Sequence, residues 1–166
     1  WNDTKANYSA TMLMHQLLQG QAERSPERTA VKVGSTVLSY GELGARAGRI
    51  ARALRSRGVG RGQRVGLCVE RSADMLAALL GILQAGAAYV PLDPMFPAER
   101  LRFMAEDAQL ALLVSTSALA SIFGLPRERQ LLLDDDATAL ASQPGERLTP
   151  DAALDARPGD PAYVIY

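Results

Sequence analysis

Apolar and polar positions along the chain change period several times, and each change marks an element. The run "HQLLQGQA", His15 to Ala22, supports a short helix that "RSPER" closes in a turn. Thr29 to Val33 and Val37 to Tyr40 are strand-like, and Gly34 with Ser35 suits a two-residue hairpin loop between them. Ser39 and Glu42 then stand at capping-box spacing, which predicts a helix start. Within that helix Leu43, Ala47, Ile50, Ala51 and Leu54 form an apolar stripe, while Arg46, Arg49, Arg52 and Arg55 repeat on another side until Gly58 ends it.

The rhythm then becomes regular. Strand-like runs at Val65 to Val69, Ala88 to Leu92, Leu110 to Val114, Gln130 to Leu133 and Ala162 to Tyr166 alternate with helical stretches at Ala73 to Gln84, Ala98 to Ala108 and Ala118 to Phe123. Such alternation predicts an α/β fold, a mostly parallel β-sheet flanked by helices, with the small β-hairpin near the N-terminus added to it. The helix "ADMLAALLGILQ" is apolar almost all round, so it is expected to be buried on more than one face by something larger. Asp134 to Asp160 lacks clean periodicity and reads as surface connection with one helical turn. Ala162 to Tyr166 reads as a buried strand.

Composition narrows the function. The 166 residues suit one domain, and 48% apolar residues can fill a core without disulfides. Eighteen Lys and Arg balance eighteen Asp and Glu, so no overall field draws the chain to nucleic acid or to an anionic membrane. Cys68, the single cysteine, lies in "RVGLCVE" and reads as a small buried hydrophobe. No run approaches the roughly 20 apolar residues of a membrane span, and "WNDTKANY" lacks the signal-peptide pattern. The expectation is a soluble, unprocessed, cytoplasmic protein.

Each candidate for chemistry has a plainer reading. "GVGRGQRVG" is rich in glycine, but it follows a helix and precedes a strand, the reverse of a dinucleotide loop, so it reads as a helix C-cap and turn. In "GILQAGAA" Gly81 and Gly86 have phosphate-loop spacing, yet Ala87 and Ala88 stand where Lys and Ser or Thr are required. The arginine row lacks interleaved aromatics and reads as a solvated helix face. Asp134, Asp135 and Asp136 read as a strand end entering a polar turn rather than a cation loop. His15, the only histidine, reads as structural.

"LQAGAAYVPLDPMFPAERL", residues 83 to 101, does more than its composition: small residues turn a helix tightly into a strand, Pro91 and Pro94 fix the exit, and Pro97 suits the next first turn. This stretch closely resembles the second core motif of the amino-acid adenylation domains of nonribosomal peptide synthetases, and "LSYGEL" at residues 38 to 43 resembles their first. "RVGLCVERSADMLAALLGIL" and "RLRFMAEDAQLALLVST" are similar to the same family in order and spacing, with Gln84 departing from its usual Lys. Residues 1–12 resemble the linker from a preceding condensation domain, which leaves 13–166 as the N-terminal part of an adenylation domain.

The resemblance implies an ATP-dependent ligase that converts an amino acid to its aminoacyl-adenylate and loads it on the phosphopantetheine thiol of a carrier domain, using Mg²⁺. It implies as partners the rest of the adenylation domain, the condensation and peptidyl carrier domains, and, as an option, a small MbtH-like activator protein. In the family a motif opening like "AYVIY" runs on into the phosphate loop, so this chain is expected to stop short of that loop and to be inactive alone. No catalytic, cofactor-binding or metal residue is assigned. The signature positions are structural: Leu38, Tyr40, Glu42 and Leu43 at the first helix, and Ala85, Gly86, Tyr89, Pro91, Asp93 and Pro94 at the buried turn and strand exit. Two other readings stand beside this one, an acyl-CoA or aryl-acid ligase of the same superfamily and a noncatalytic α/β interaction module.

Overall fold

A computed structural model describes residues 12–166, so all but the last residue of the linker reading at 1–12 lies outside the described residues. Helix α1 (Met14–Arg24) leads into a hairpin of β1 (Thr29–Val33) and β2 (Thr36–Ser39). Helix α2 (Tyr40–Arg55) begins on a complete capping box: the Glu42 amide donates to Ser39 Oγ at 3.2 Å, and the Ser39 amide donates to Glu42 Oε2 at 2.8 Å. Two first-turn donors that the helix itself cannot satisfy are thereby paired.

The remaining elements are β3 (Arg64–Cys68), α3 (Ala73–Ala85), β4 (Ala88–Pro91), α4 (Ala98–Asp107), β5 (Leu112–Ser115), α5 (Ser117–Ala120), β6 (Gln130–Leu132) and α6 (Ala137–Ala141). The four strands form one parallel sheet in the order β4-β3-β5-β6. Because strand side chains alternate between faces, Val65, Leu67, Leu112 and Val114 join the core under α2 and α3, whereas Cys68, Val90 and Leu113 join a second core under α4. Covering both faces is what a parallel sheet requires.

Helix α3 finds its cover within the chain. Ala77, Ala78, Leu80, Gly81, Ile82 and Leu83 are buried, between α2 and the sheet, so the expected larger partner is not needed to explain this helix. Helices α2 and α3 approach so closely that a Cβ at Gly81 would lie 2.7 Å from Ile50 Cγ2 and 3.0 Å from the Ala47 carbonyl oxygen.

Two further expectations are corrected. The four arginines of the row are half-buried, and three of them, Arg49, Arg52 and Arg55, hold a strap formed by residues 143–156, while Arg46 pairs with Asp74. Arg49 donates to the Gln143 carbonyl at 3.2 Å, and Arg52 to the carbonyls of Pro144, Glu146 and Arg147 at 3.0, 3.2 and 3.3 Å. Arg55 reaches the Gln84 and Ala85 carbonyls, both at 3.3 Å, and forms an ion pair with Asp155. A period of three places side chains on one face but does not reveal what lies on that face.

The run Ala162 to Tyr166 forms a single parallel bridge, Tyr89 to Tyr163, rather than a buried strand. The Tyr89 amide donates to the Ala162 carbonyl and the Val164 amide to the Tyr89 carbonyl, at 3.1 and 3.0 Å. The next donor on that side of β4 would be residue 91, a proline with no N–H, and there the pairing stops. Tyr163, Ile165 and Tyr166 remain exposed at the sheet edge.

Gly81→Ala is predicted to push α2 and α3 apart and to lower stability by about 1–3 kcal/mol, overriding the helix-propensity gain of alanine. The midpoint of denaturant unfolding measures it, and an unchanged or raised midpoint would show that the helix pair can yield.

Candidate functional site

In a sheet ordered β4-β3-β5-β6, the chain winds from β3 over one face to β4, then returns over the other face to β5. The loops leaving β3 and β5 therefore diverge, and the carboxyl ends of those strands frame a crevice of the kind where open α/β sheets bind ligands. A cavity of about 420 Å³ lies there, walled by Val69, Glu70 and Ser72 after β3, Thr116 and Leu119 after β5, and Leu133 and Asp134 after β6.

Local chemistry fixes each wall. The Ser115 hydroxyl, fully buried, donates to the Cys68 carbonyl at 2.8 Å and ties β5 to β3 just below the crevice. Ser72 caps α3 by accepting the Met75 amide at 3.1 Å, and Asp74 in the first turn pairs with Arg46 at 2.6 Å. Asp134 accepts the Ser117 amide at 2.9 Å as well as the Ser117 hydroxyl. Those bonds, the hydroxyl first, hold the Asp134 carboxyl below the ordinary aspartate range despite some desolvation. Asp136 turns away to the Leu132 amide and Arg127, so the three consecutive aspartates do not converge, and no group of three metal-binding side chains is placed together among the described residues.

The crevice supplies hydroxyls and carboxylates, and the Ser117 hydroxyl rests on the same Asp134 carboxylate that accepts the Ser117 amide, so this pair fixes the loop end. Burial pushes the Cys68 thiol up to about 11, so the thiolate is suppressed. His15 is elsewhere, on α1 against the strap. The residues present do not fit a magnesium triphosphate: the charged groups on the walls are Glu70, Asp74 and Asp134, and of the two lysines Lys32 sits on the hairpin while Lys5 lies outside the described residues. The glycines of "GVGRG" serve the α2 to β3 turn, with Gly58 and Gly62 at φ 79° and 80°.

The signature positions fall into two groups. Leu38 and Leu43 are buried beside α2, Tyr40 opens that helix with its amide on the Arg28 carbonyl, and Glu42 completes the cap. Ala85 and Gly86 make the turn from α3, Tyr89 and Pro91 lie in β4, and Asp93 receives the Met95 amide at 2.9 Å, with Pro94 between them. None of these ten lines the crevice. Ser72, Thr116 and Asp134, which do, stand at strand ends whose neighbours only the sheet order reveals.

Residues 18–166 match the family model described as "AMP-binding enzyme". Over its whole length the chain is 41% identical to bacitracin synthase 1 of Bacillus licheniformis and 40% identical to tyrocidine synthase 3 of Brevibacillus parabrevis. It is likewise 38% identical, over its whole length, to gramicidin S synthase 2 of Brevibacillus brevis. It spans only 2–4% of those three proteins. Among solved structures, the nonribosomal peptide synthetase FmoA3 superimposes with a TM-score of 0.86 at 36% identity, over 100% of this chain and 17% of that one. FmoA3 has also been solved bound to AMPPNP and to α-methyl-L-serine-AMP, with TM-scores of 0.85 and 0.86.

Ser117→Ala is predicted to raise the Asp134 carboxyl toward the ordinary range, read as the midpoint of its carboxyl-carbon shift against pH by NMR. Since a depressed folded value adds stability above the unfolded value and loses it as pH falls through the folded one, the variant should also lose less on acidification. An Asp134 midpoint equal in both proteins would remove the Ser117 bond as the cause.

Proposed function

Because the chain belongs to the AMP-binding enzyme family, we propose that it is the N-terminal frame of an amino-acid adenylating ligase in a nonribosomal peptide synthetase. What carries the reading is agreement over the whole chain with FmoA3, a nonribosomal peptide synthetase solved with an amino-acyl adenylate, at 36% identity and a TM-score of 0.86. The four-stranded parallel sheet, its covering helices and the added hairpin are the N-terminal architecture of that family.

In this reading the protein activates an amino acid with ATP in the cytoplasm and passes it to a phosphopantetheine thiol on a carrier domain, working beside other synthetase domains. The role of this chain is to hold the sheet, its crevice and the "AGAAYVPLDP" turn rigid. No reaction step is assigned to its residues, since the crevice walls carry carboxylates and offer no cation to a polyphosphate.

Amino-acid-dependent exchange of labelled pyrophosphate into ATP tests the proposal. The full-length protein carrying this chain is expected to show exchange with one or a few amino acids, and residues 1–166 by themselves to show none. Exchange driven only by a fatty or aryl acid would replace the reading with the acyl-CoA or aryl-acid ligase, and absence of exchange with every acid would favour the noncatalytic module.

A further inference from the structure

The strap of residues 143–156 carries no sheet ladder, and its carbonyls at Gln143, Pro144, Glu146, Arg147 and Thr149 accept from Arg49, Arg52 and Arg55 instead. Its inner side rests on glycines: a Cβ at Gly48 would come within 3.0 Å of two strap carbonyls, and one at Gly60 within 2.7 Å of the Leu154 side chain. It is therefore a segment held by polar contacts and close approach, with the half-buried Leu148 and Leu154 as its apolar anchors. Between it and α1 lies a pocket of about 60 Å³ into which His15 faces.

We infer that the strap is a pH-sensitive latch, closed on α2 while His15 is neutral and released when His15 takes a proton. Burial of the imidazole decides this first, and the groups around it adjust it. From the strap come Arg147 and Asp155, from α2 comes Arg55, from α3 the uncharged Gln84, and from α1 itself Gln16, Gln19 and, through its 3.7 Å pair with Arg147, Glu23. Asp155 is the one carboxylate acting directly on His15, and both its oxygens are engaged, one by Arg55 and the other by the Asp151 amide at 2.9 Å. A proton on His15 would place a third positive charge beside Arg55 and Arg147 in a confined space.

Burial, the largest influence, lowers the imidazole from its ordinary value of 6.5; Asp155, the next, raises it, and Arg147 and then Arg55 lower it, which leaves it below that value. A histidine whose closed-state value is lowered favours the closed state above the open-state value, and that preference is lost as pH falls below it. Opening relieves the conflict by letting the imidazole charge in water. It also lifts Leu154 from the α3 to β4 turn at Gly86.

Hydrogen exchange by mass spectrometry on the full-length protein tests the latch, reading peptides from the strap against peptides from β3 and β5, at about pH 7.5 and about pH 5.5 with intrinsic rates corrected. Strap peptides are expected to exchange several-fold faster at the lower pH, with β3 and β5 unchanged, and His15→Gln to abolish the difference. Arg55→Gln should speed strap exchange at both pH values. Strap protection that is equal at both pH values in the parent protein, or that falls as steeply in His15→Gln, overturns the inference. So does an Arg55→Gln protein that keeps full strap protection or loses it throughout the sheet.

Discussion

The arginine row of α2 is the constraint on which the surrounding chain depends. A segment without sheet or helix ladders must find donors for its carbonyls elsewhere or leave them to water. Forked guanidiniums on successive turns of a helix provide several donors each along one line, and the strap follows that line. Because Arg55 also binds the Gln84 and Ala85 carbonyls, at the C-terminal end of α3, one side chain joins α2, α3 and the strap. Cations near a helix C-terminus are favoured there by the helix dipole.

That arrangement explains why the "AGAA" turn is so restricted. Gly86 has φ 98°, in the left-handed region where glycine is unstrained, and a side chain there would overlap the Leu154 carbonyl as well. Either cause alone would favour glycine; together they leave no other residue. Downstream, the same turn delivers Tyr89 to its bridge with Tyr163, the two rings 5.8 Å apart, and Pro91 ends that pairing. The stretch that resembles the family's second core motif is thus, physically, the junction of four segments.

Local patterns made the elements legible. The capping box at Ser39 and Glu42, the apolar stripe of α2 and the strand-like run of β3 are each patterns of residues close in sequence, and each is present in the fold. What the sequence left obscure was non-local. The arginines repeat with a period that fits a solvated face and a clasp equally well, and the clasp is formed with residues more than ninety positions away. The apolar run at Ala162 to Tyr166 has strand composition, but its place at an edge and the missing donor of Pro91 limit it to one bridge. The crevice was illegible for the same reason, since its walls meet only once β5 is known to cross β3 and lie on its far side.

The charge of the crevice separates scaffold from chemistry in this part of the chain. Polyphosphate chemistry needs cations or oriented amides where negative charge gathers, and a wall of Glu70, Asp74 and Asp134 opposes it. Asp74 is offset by Arg46, and Asp134 is committed to Ser117, so these carboxylates stabilise their own helix starts and loop ends. Groups already satisfied by local partners gain little from a ligand and lose those partners to bind one. The crevice walls are therefore set for rigidity, which is what a sheet needs if residues supplied by other segments are to be held at fixed distances across its carboxyl edge.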